Sequence, residues 1–204
     1  MRKNILLTIA ILFLTGCTYD YGLKLATSRL DNNDICYHSM EEIHYQKVPF
    51  NDEVNFFIDT KSPAYNFSSG KSYFKAFELP DSNEKLAIEI KSYFIGDVLY
   101  PVITILNSKY TVTRTVEQPI IKYVPPVWSR GYIGGIIIFK PELDEKYFII
   151  HTSDKYIGDH LTSNLQGYTY SDGKSSFIVP SLSTKYNFSP IGRVSLLLTY
   201  SKSG

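Results

Sequence analysis

The first residue whose type and position suggest chemistry is a cysteine. Cys17 closes the stretch Leu14-Thr15-Gly16-Cys17, where a sulfur nucleophile directly follows a small residue. Such a thiol can be acylated, and Gly16 leaves room for a peptidase to reach the bond before it. The four histidines are His38, His44, His151 and His160. His151 and His160 lie near Asp154 and Asp159, but a metal site needs several ligands converging on one point. Asp154 and Asp159 are spaced poorly for one helical face, and His151 precedes the segment, so polar surface residues around a short helix are the simpler account. No Gly-x-Ser-x-Gly elbow is present. No Gly-rich loop joins a strand to a helix as a nucleotide site requires. The basic residues are scattered, without the stripe that nucleic acid calls for. The expectation is a non-enzymatic protein with no catalytic residue, no cofactor, no metal and no nucleic-acid partner.

A second stretch suggests binding rather than catalysis. Pro125-Pro126-Val127-Trp128-Ser129-Arg130-Gly131-Tyr132 holds the only tryptophan. Aromatic rings stack on the apolar faces of sugars and anchor protein interfaces. Trp128 and Tyr132 supply rings, while Arg130 and the Tyr132 hydroxyl supply hydrogen bonds. Tyr123 is a further candidate for the same surface. The competing account is that Trp128 plugs one end of the domain.

These residues need elements to hold them, beginning with the N-terminus. Arg2 and Lys3 form a short positive region, and Ile5 to Leu14 is an apolar run broken only by Thr8. Positive region, apolar run and small-residue cleavage site follow the order of a secretory signal peptide. The run is shorter than the ~20 residues of a comfortable membrane span. The Leu-x-Gly-Cys ending resembles the lipobox of bacterial lipoproteins, which implies cleavage before Cys17 and acylation of its thiol. Thr18 stands where an aspartate marks inner-membrane retention in such signals, so the anchor is expected in the outer membrane, facing the periplasm. The expected organisation is a signal peptide over residues 1–16, a lipidated N-terminus and polar tether over 17–34, and one domain over 35–204. Cys36 is then unpaired; a Cys17–Cys36 disulfide is the alternative if the cysteine is not acylated.

The formal charge of +1 falls by two once Arg2 and Lys3 leave, which points to no polyanionic partner. With 17 tyrosines and 12 phenylalanines alongside many Ile, Val and Thr, the composition favours strands. Leu86, Ile88 and Ile90 alternate with Lys85, Ala87, Glu89 and Lys91, which predicts a strand with one buried face. Further strands are expected at 54–58, 73–79, 98–106, 110–116, 120–124, 136–139, 147–152, 177–179 and 193–200. Those at 136–139 and 147–152 are expected to form a hairpin, and Pro101 suggests an edge or a bulge. A short helix is expected within 35–48, capped by Ser39, and a second over 153–166, capped by Ser153. The resulting fold class is mainly β: an antiparallel β-sandwich with two short helices.

Four pieces of the chain carry a family likeness. They are Ile35 to Ile43 with Tyr45 and Pro49-Phe50; Ala76-Phe77-Glu78-Leu79-Pro80 with the strand from Leu86 to Ser92; Tyr100 to Asn107; and Phe148 to Lys155 with the last strand from Gly192 to Leu198. In order and spacing the chain resembles the MalM family of maltose-operon periplasmic proteins. The resemblance implies a periplasmic protein associated with maltose or maltodextrin uptake, with an envelope protein or a maltodextrin as partner and the membrane as anchor. It supplies no catalytic residues. The chain lacks the alanine- and proline-rich linker and the helical C-terminal extension of longer members, and it carries a lipobox that some members lack.

Overall fold

In the computed structural model, residues 18–34, 37–117, 122–126, 130–142, 144–165, 168–171, 176–179 and 181–201 are described. Cys17, Cys36 and Trp128 lie outside them.

The first element among the described residues is α1, Thr18–Asn32. Leu23, Ala26 and Leu30 recur at helical spacing. Ala26 and Leu30 are buried, and Leu30 joins the main core. Arg29 complements the negative end of the helix dipole. Beyond the helix, the Lys71 ammonium donates to the carbonyls of Asp31 and Asn33, satisfying acceptors that a helix end leaves open. The stretch expected as a loose polar tether is therefore a docked helix. No helix among the described residues is long and apolar enough to cross a membrane.

The helix expected within 35–48 shrinks to a 3-10 turn at Met40–Glu42. Ser39 takes the cap position without a side-chain cap bond; instead the Glu42 carboxylate accepts from the His38 amide at 2.8 Å. Ile43 and Tyr45 are buried, whereas His44 between them is exposed.

Short strands then follow in quick succession. They are β1 (Gln46–Lys47), β2 (Val54–Ile58), β3 (Ala64–Phe67), β4 (Gly70–Tyr73), β5 (Lys75–Glu78), β6 (Leu86–Tyr93), β7 (Val98–Leu99), β8 (Val102–Asn107) and β9 (Val112–Val116). The second half adds β10 (Lys122–Val124), β11 (Tyr132–Phe139), β12 (Glu145–His151), β13 (His160–Leu165), β14 (Tyr168–Ser171), β15 (Ser176–Val179), β16 (Leu182–Ser189) and β17 (Gly192–Tyr200). Five strands form sheet I in the order β1-β5-β12-β8-β9, and five form sheet II in the order β10-β11-β6-β17-β2. A three-stranded sheet, β13-β16-β7, and the hairpins β3-β4 and β14-β15 complete the described strands. Two strand pairs are parallel, β1 with β5 and β16 with β7, and the other described strand pairs are antiparallel.

Both large sheets face one core. Sheet II contributes Leu86, Ile88 and Ile90 from β6 with Val194, Leu196 and Leu198 from β17. Sheet I contributes Phe77, Ile103, Ile105, Phe148 and Ile150. The alternation along β6 predicts its buried face without exception, from Leu86 to Ser92. Sheet I is buried on its other face as well. There Ala76, Leu106 and Ile149 pack beneath Phe67 and Phe74 of the β3-β4 hairpin region and beneath Ile43 and Tyr45.

Three expectations need correcting. β11 and β12 are not a hairpin. β11 is already flanked by β10 and β6, so it offers β12 no edge, and the chain crosses from sheet II to sheet I. Glu145 secures the crossing: its buried carboxylate receives Nε and Nη2 of Arg114, both at 2.8 Å, the Thr113 hydroxyl at 2.6 Å and the Glu142 amide at 3.0 Å. Burial opposes its charge, yet these bonds outweigh burial and lower its pKa. Pro101 makes neither an edge nor a bulge; lacking an N–H, it breaks the expected strand into β7 and β8, which enter different sheets.

The helix expected over 153–166 is a single turn followed by β13. The Ser153 hydroxyl does act as a cap, receiving the Lys155 amide at 3.3 Å. Gly158 then leaves the helical region at φ +86°, and its amide donates to Phe188 of β16 at 2.9 Å. Leu161 and Leu165 fit a helical stripe, but they fit strand alternation equally well once the turn has ended.

Docking of α1 is testable. Leu30→Ala is expected to cost about 2–5 kcal/mol in urea unfolding, the range for a truncated core leucine. A midpoint indistinguishable from the parent would make residues 18–32 a leash after all.

Candidate functional site

Of the binding residues expected from sequence, Tyr123 and Tyr132 fall on sheet II, whose register separates them, and Trp128 lies outside the described residues. Tyr123 pairs with Ile133, and Val124 with Tyr132. Neighbouring residues of a strand point to opposite faces, so Tyr123 and Tyr132 part company. Tyr123 shares the inward face with buried Ile133. Its ring meets Phe94 edge-on at 5.7 Å, and its hydroxyl bonds with Ser163 of β13. Tyr132 lies on the outer face, and Arg130 is exposed just before β11.

The outer face around Tyr132 is a built surface. Tyr132, Tyr93 and Arg193 form one row across β11, β6 and β17. The rings of Tyr132 and Tyr93 meet edge-to-face at 5.9 Å. The Arg193 guanidinium lies 5.5 Å from the Tyr93 ring centre, and the Lys91 ammonium 5.9 Å from that of Tyr132. Such contacts hold aromatic rings at fixed angles to the sheet.

A shallow cavity of about 220 Å³ opens beside Tyr132, bordered by Glu89, Lys91, Lys122 and Ile136. Gly134 and Gly135 supply bare backbone at its floor. A Cβ on Gly134 would stand 2.3 Å from the Ile90 carbonyl oxygen of β6, so a side chain there requires the strands to part. The charged rim is internally organised. Lys91 pairs with Glu53 at 3.2 Å and Glu89 at 3.5 Å, and the Ser195 hydroxyl donates to Glu53 at 2.6 Å. The bond from Ser195, then that from Lys91, holds the Glu53 carboxyl below its usual range. Desolvation works against the Lys91 charge, but Glu53 and Glu89 outweigh it and raise its pKa. One aromatic plane beside both signs of charge over bare backbone can stack a flat apolar face and bond hydroxyls at its edge.

Tyr93, Lys91, Glu89, Glu53, Ser195 and Arg193 were not anticipated as site residues. Alternation in Leu86 to Ile90 already puts Glu89, Lys91 and Tyr93 on the face opposite the core, so half of the set was available from sequence.

The histidines do not form a site. His151 is fully buried on the outer face of sheet I. Its ring lies parallel to Phe67, with centroids 3.8 Å apart. Nδ1 faces the Thr152 carbonyl at 2.7 Å, so this nitrogen carries the proton, and Nε2 accepts from the Thr104 hydroxyl at 2.9 Å. His160 is exposed at the start of β13, with Nδ1 3.7 Å from Asp159. His38 and His44 are also exposed. Among the described residues no group of three or more His, Cys, Asp or Glu is placed to hold a metal ion.

Burial depresses the pKa of His151 to about 4. Between that value and the ~6.5 of an unfolded histidine, only the unfolded chain takes up the proton. Stability contributed by neutral His151 is complete above pH 6.5 and is lost as pH falls toward 4, by roughly 2–3 kcal/mol. Urea unfolding at pH 7 and pH 4.5 should show a larger drop for the parent than for His151→Gln; equal drops would mean that His151 titrates normally in the fold.

A protein-family model described as maltose operon periplasmic protein precursor (MalM) matches residues 69–196, more than half of the chain. The match takes in β6, β10 and β11 and reaches into β17, the strands that carry the Tyr132 surface. No curated protein matches the chain.

Proposed function

The chain belongs to the MalM family of maltose operon periplasmic proteins, and from that premise we propose that it is a non-enzymatic accessory lipoprotein of the bacterial envelope. Its family gives it a periplasmic, maltose-operon-associated setting. On our reading, residues 1–16 are a signal peptide and Cys17 is acylated. The anchor then sits in the outer membrane facing the periplasm, and the rest assists maltose or maltodextrin uptake together with another envelope protein. We read the two large sheets and their shared core as an antiparallel β-sandwich. The family match carries the setting; the Leu14-Thr15-Gly16-Cys17 ending carries the anchor. A deletion strain of the source bacterium should take up maltodextrin more slowly. The intact chain should restore uptake, whereas Cys17→Ser should leave the protein in the aqueous phase on detergent partitioning and restore uptake poorly. Full restoration by Cys17→Ser would overturn the need for an anchor.

The second reading is carbohydrate binding at the aromatic loop around Trp128, with Arg130 and Tyr132. The cavity beside Tyr132 favours it, because a ring flanked by Lys91, Lys122 and Glu89 suits a glucose unit that presents an apolar face and edge hydroxyls. Tyr123, turned inward, bonds with Ser163 and ties β10 to β13. Titration calorimetry with a maltodextrin series should give heat for the soluble form, and Tyr132→Ala should weaken binding at least tenfold. The absence of heat at millimolar maltodextrin would remove this reading and leave the accessory role standing.

A further inference from the structure

A second apolar surface lies at the start of α1, three strands across sheet II from Tyr132 in the same cross-strand row. Gly22 of the helix, Phe57 of β2, Ile95 and Ile191 border a shallow cleft of about 250 Å³. Phe57 and Ile95 are each 54 % exposed. Leu25 is 37 % exposed and sits one turn from Gly22 on the same flank of the helix. Large apolar side chains left in water together mark a contact surface rather than a core. The rim carries both signs of charge, Asp59 and Asp97 with Arg193.

The position of Cys17 says what this surface meets. Cys17 directly precedes Thr18, the first residue of α1. From Thr18, the residue bonded to Cys17, to Gly22 is four helical steps of ~1.5 Å, so the first described residue lies about 6 Å from Gly22 along the helix. α1 is fixed to the domain through Ala26, Leu30 and the Lys71 bonds. A lipid on Cys17 therefore cannot hold the domain at the end of a slack chain; it brings this cleft to the bilayer surface.

We propose that Leu25, Phe57 and Ile95 form a membrane-resting surface that seats the domain on the phospholipid headgroups in one orientation. The proposal rests on acylation of Cys17. A rim of two carboxylates and one guanidinium suits zwitterionic headgroups, which present an ammonium and a phosphate side by side. The same register sets the rest of the domain. Phe57 shares a cross-strand row with Arg193, Tyr93 and Tyr132. Ile138 lies six residues further along β11 on the same outer face, about 20 Å away along the strands, and it is exposed at 58 %. In the proposed orientation the strands stand upright on the bilayer, so Ile138 is clear of it while Phe57 and Ile95 touch it.

The test uses the full-length lipoprotein, purified from membranes and placed in phosphatidylethanolamine–phosphatidylcholine vesicles. An environment-sensitive fluorophore is attached in a Cys36→Ser background to Ile95→Cys, Phe57→Cys or Ile138→Cys, one at a time. Lipid carrying a headgroup-level spin label should quench probes at 95 and 57 at least threefold more than the probe at 138. Either of the first two positions suffices if the other variant folds poorly. Mass spectrometry of the same preparations reads the acyl chains. Acylated protein with equal quenching at all three positions overturns the seated orientation and leaves the anchor in place. Protein without acyl chains overturns both.

Discussion

The central strands of sheet I, β8 and β12, are buried on both faces, and much of the molecule exists to make that possible. One face meets sheet II through Ile103, Ile105, Phe148 and Ile150. The other carries Leu106, Ile149 and His151, which water cannot be allowed to reach. The β3-β4 hairpin and the segment through Ile43 and Tyr45 cover it. A strand buried on both sides has no room for an unsatisfied polar group. His151 is accommodated only because Thr104, Thr152 and the Phe67 ring use both nitrogens and one face of the imidazole. Glu145, at the start of β12, meets the same demand with Arg114 and Thr113. Of the four histidines, only His151 is held in this way; the other three are exposed.

The covering of sheet I leaves the outer face of sheet II to water, and that asymmetry decides where function can lie. Its inward face is apolar along β6 and β17 except at buried Ser92. Its outward face carries tyrosines, lysines and acids paired across strands. Whatever the family's periplasmic role requires from a partner or a sugar, this face offers aromatic planes at fixed angles beside charge, over a glycine floor that neighbouring backbone keeps bare.

Strand alternation was legible where burial is one-sided. Leu86 to Ile90 announced both its partners' layer and the outward direction of Lys91 and Tyr93. It failed where burial is two-sided, because β8 and β12 read as continuous apolar runs with no preferred face. Leu23, Ala26 and Leu30 already had helical spacing, but so polar a segment does not reveal that a core waits for two of its side chains. Leu161 and Leu165 satisfied helix and strand periods together, and Gly158 with its bond to Phe188 settles the matter. Pairing was not legible at all. That β11 finds β6 rather than β12 depends on which edges are already occupied, a property of the assembled sheet and not of any segment. The same holds for Tyr123 and Tyr132, near each other in sequence and on opposite sides of one sheet.

The place of β17 has a consequence for how the chain reaches its fold. This strand, last among those described, lies between β6 and β2 and pairs with both along most of their lengths. Until it emerges, β2 has no neighbour in its sheet, and β6 has only one side filled. Everything from β2 to β17 must therefore be made before sheet II can close, and contacts so distant along the chain form slowly. Such a chain remains open during synthesis and packs late, which suits one that must be threaded through a membrane before it folds.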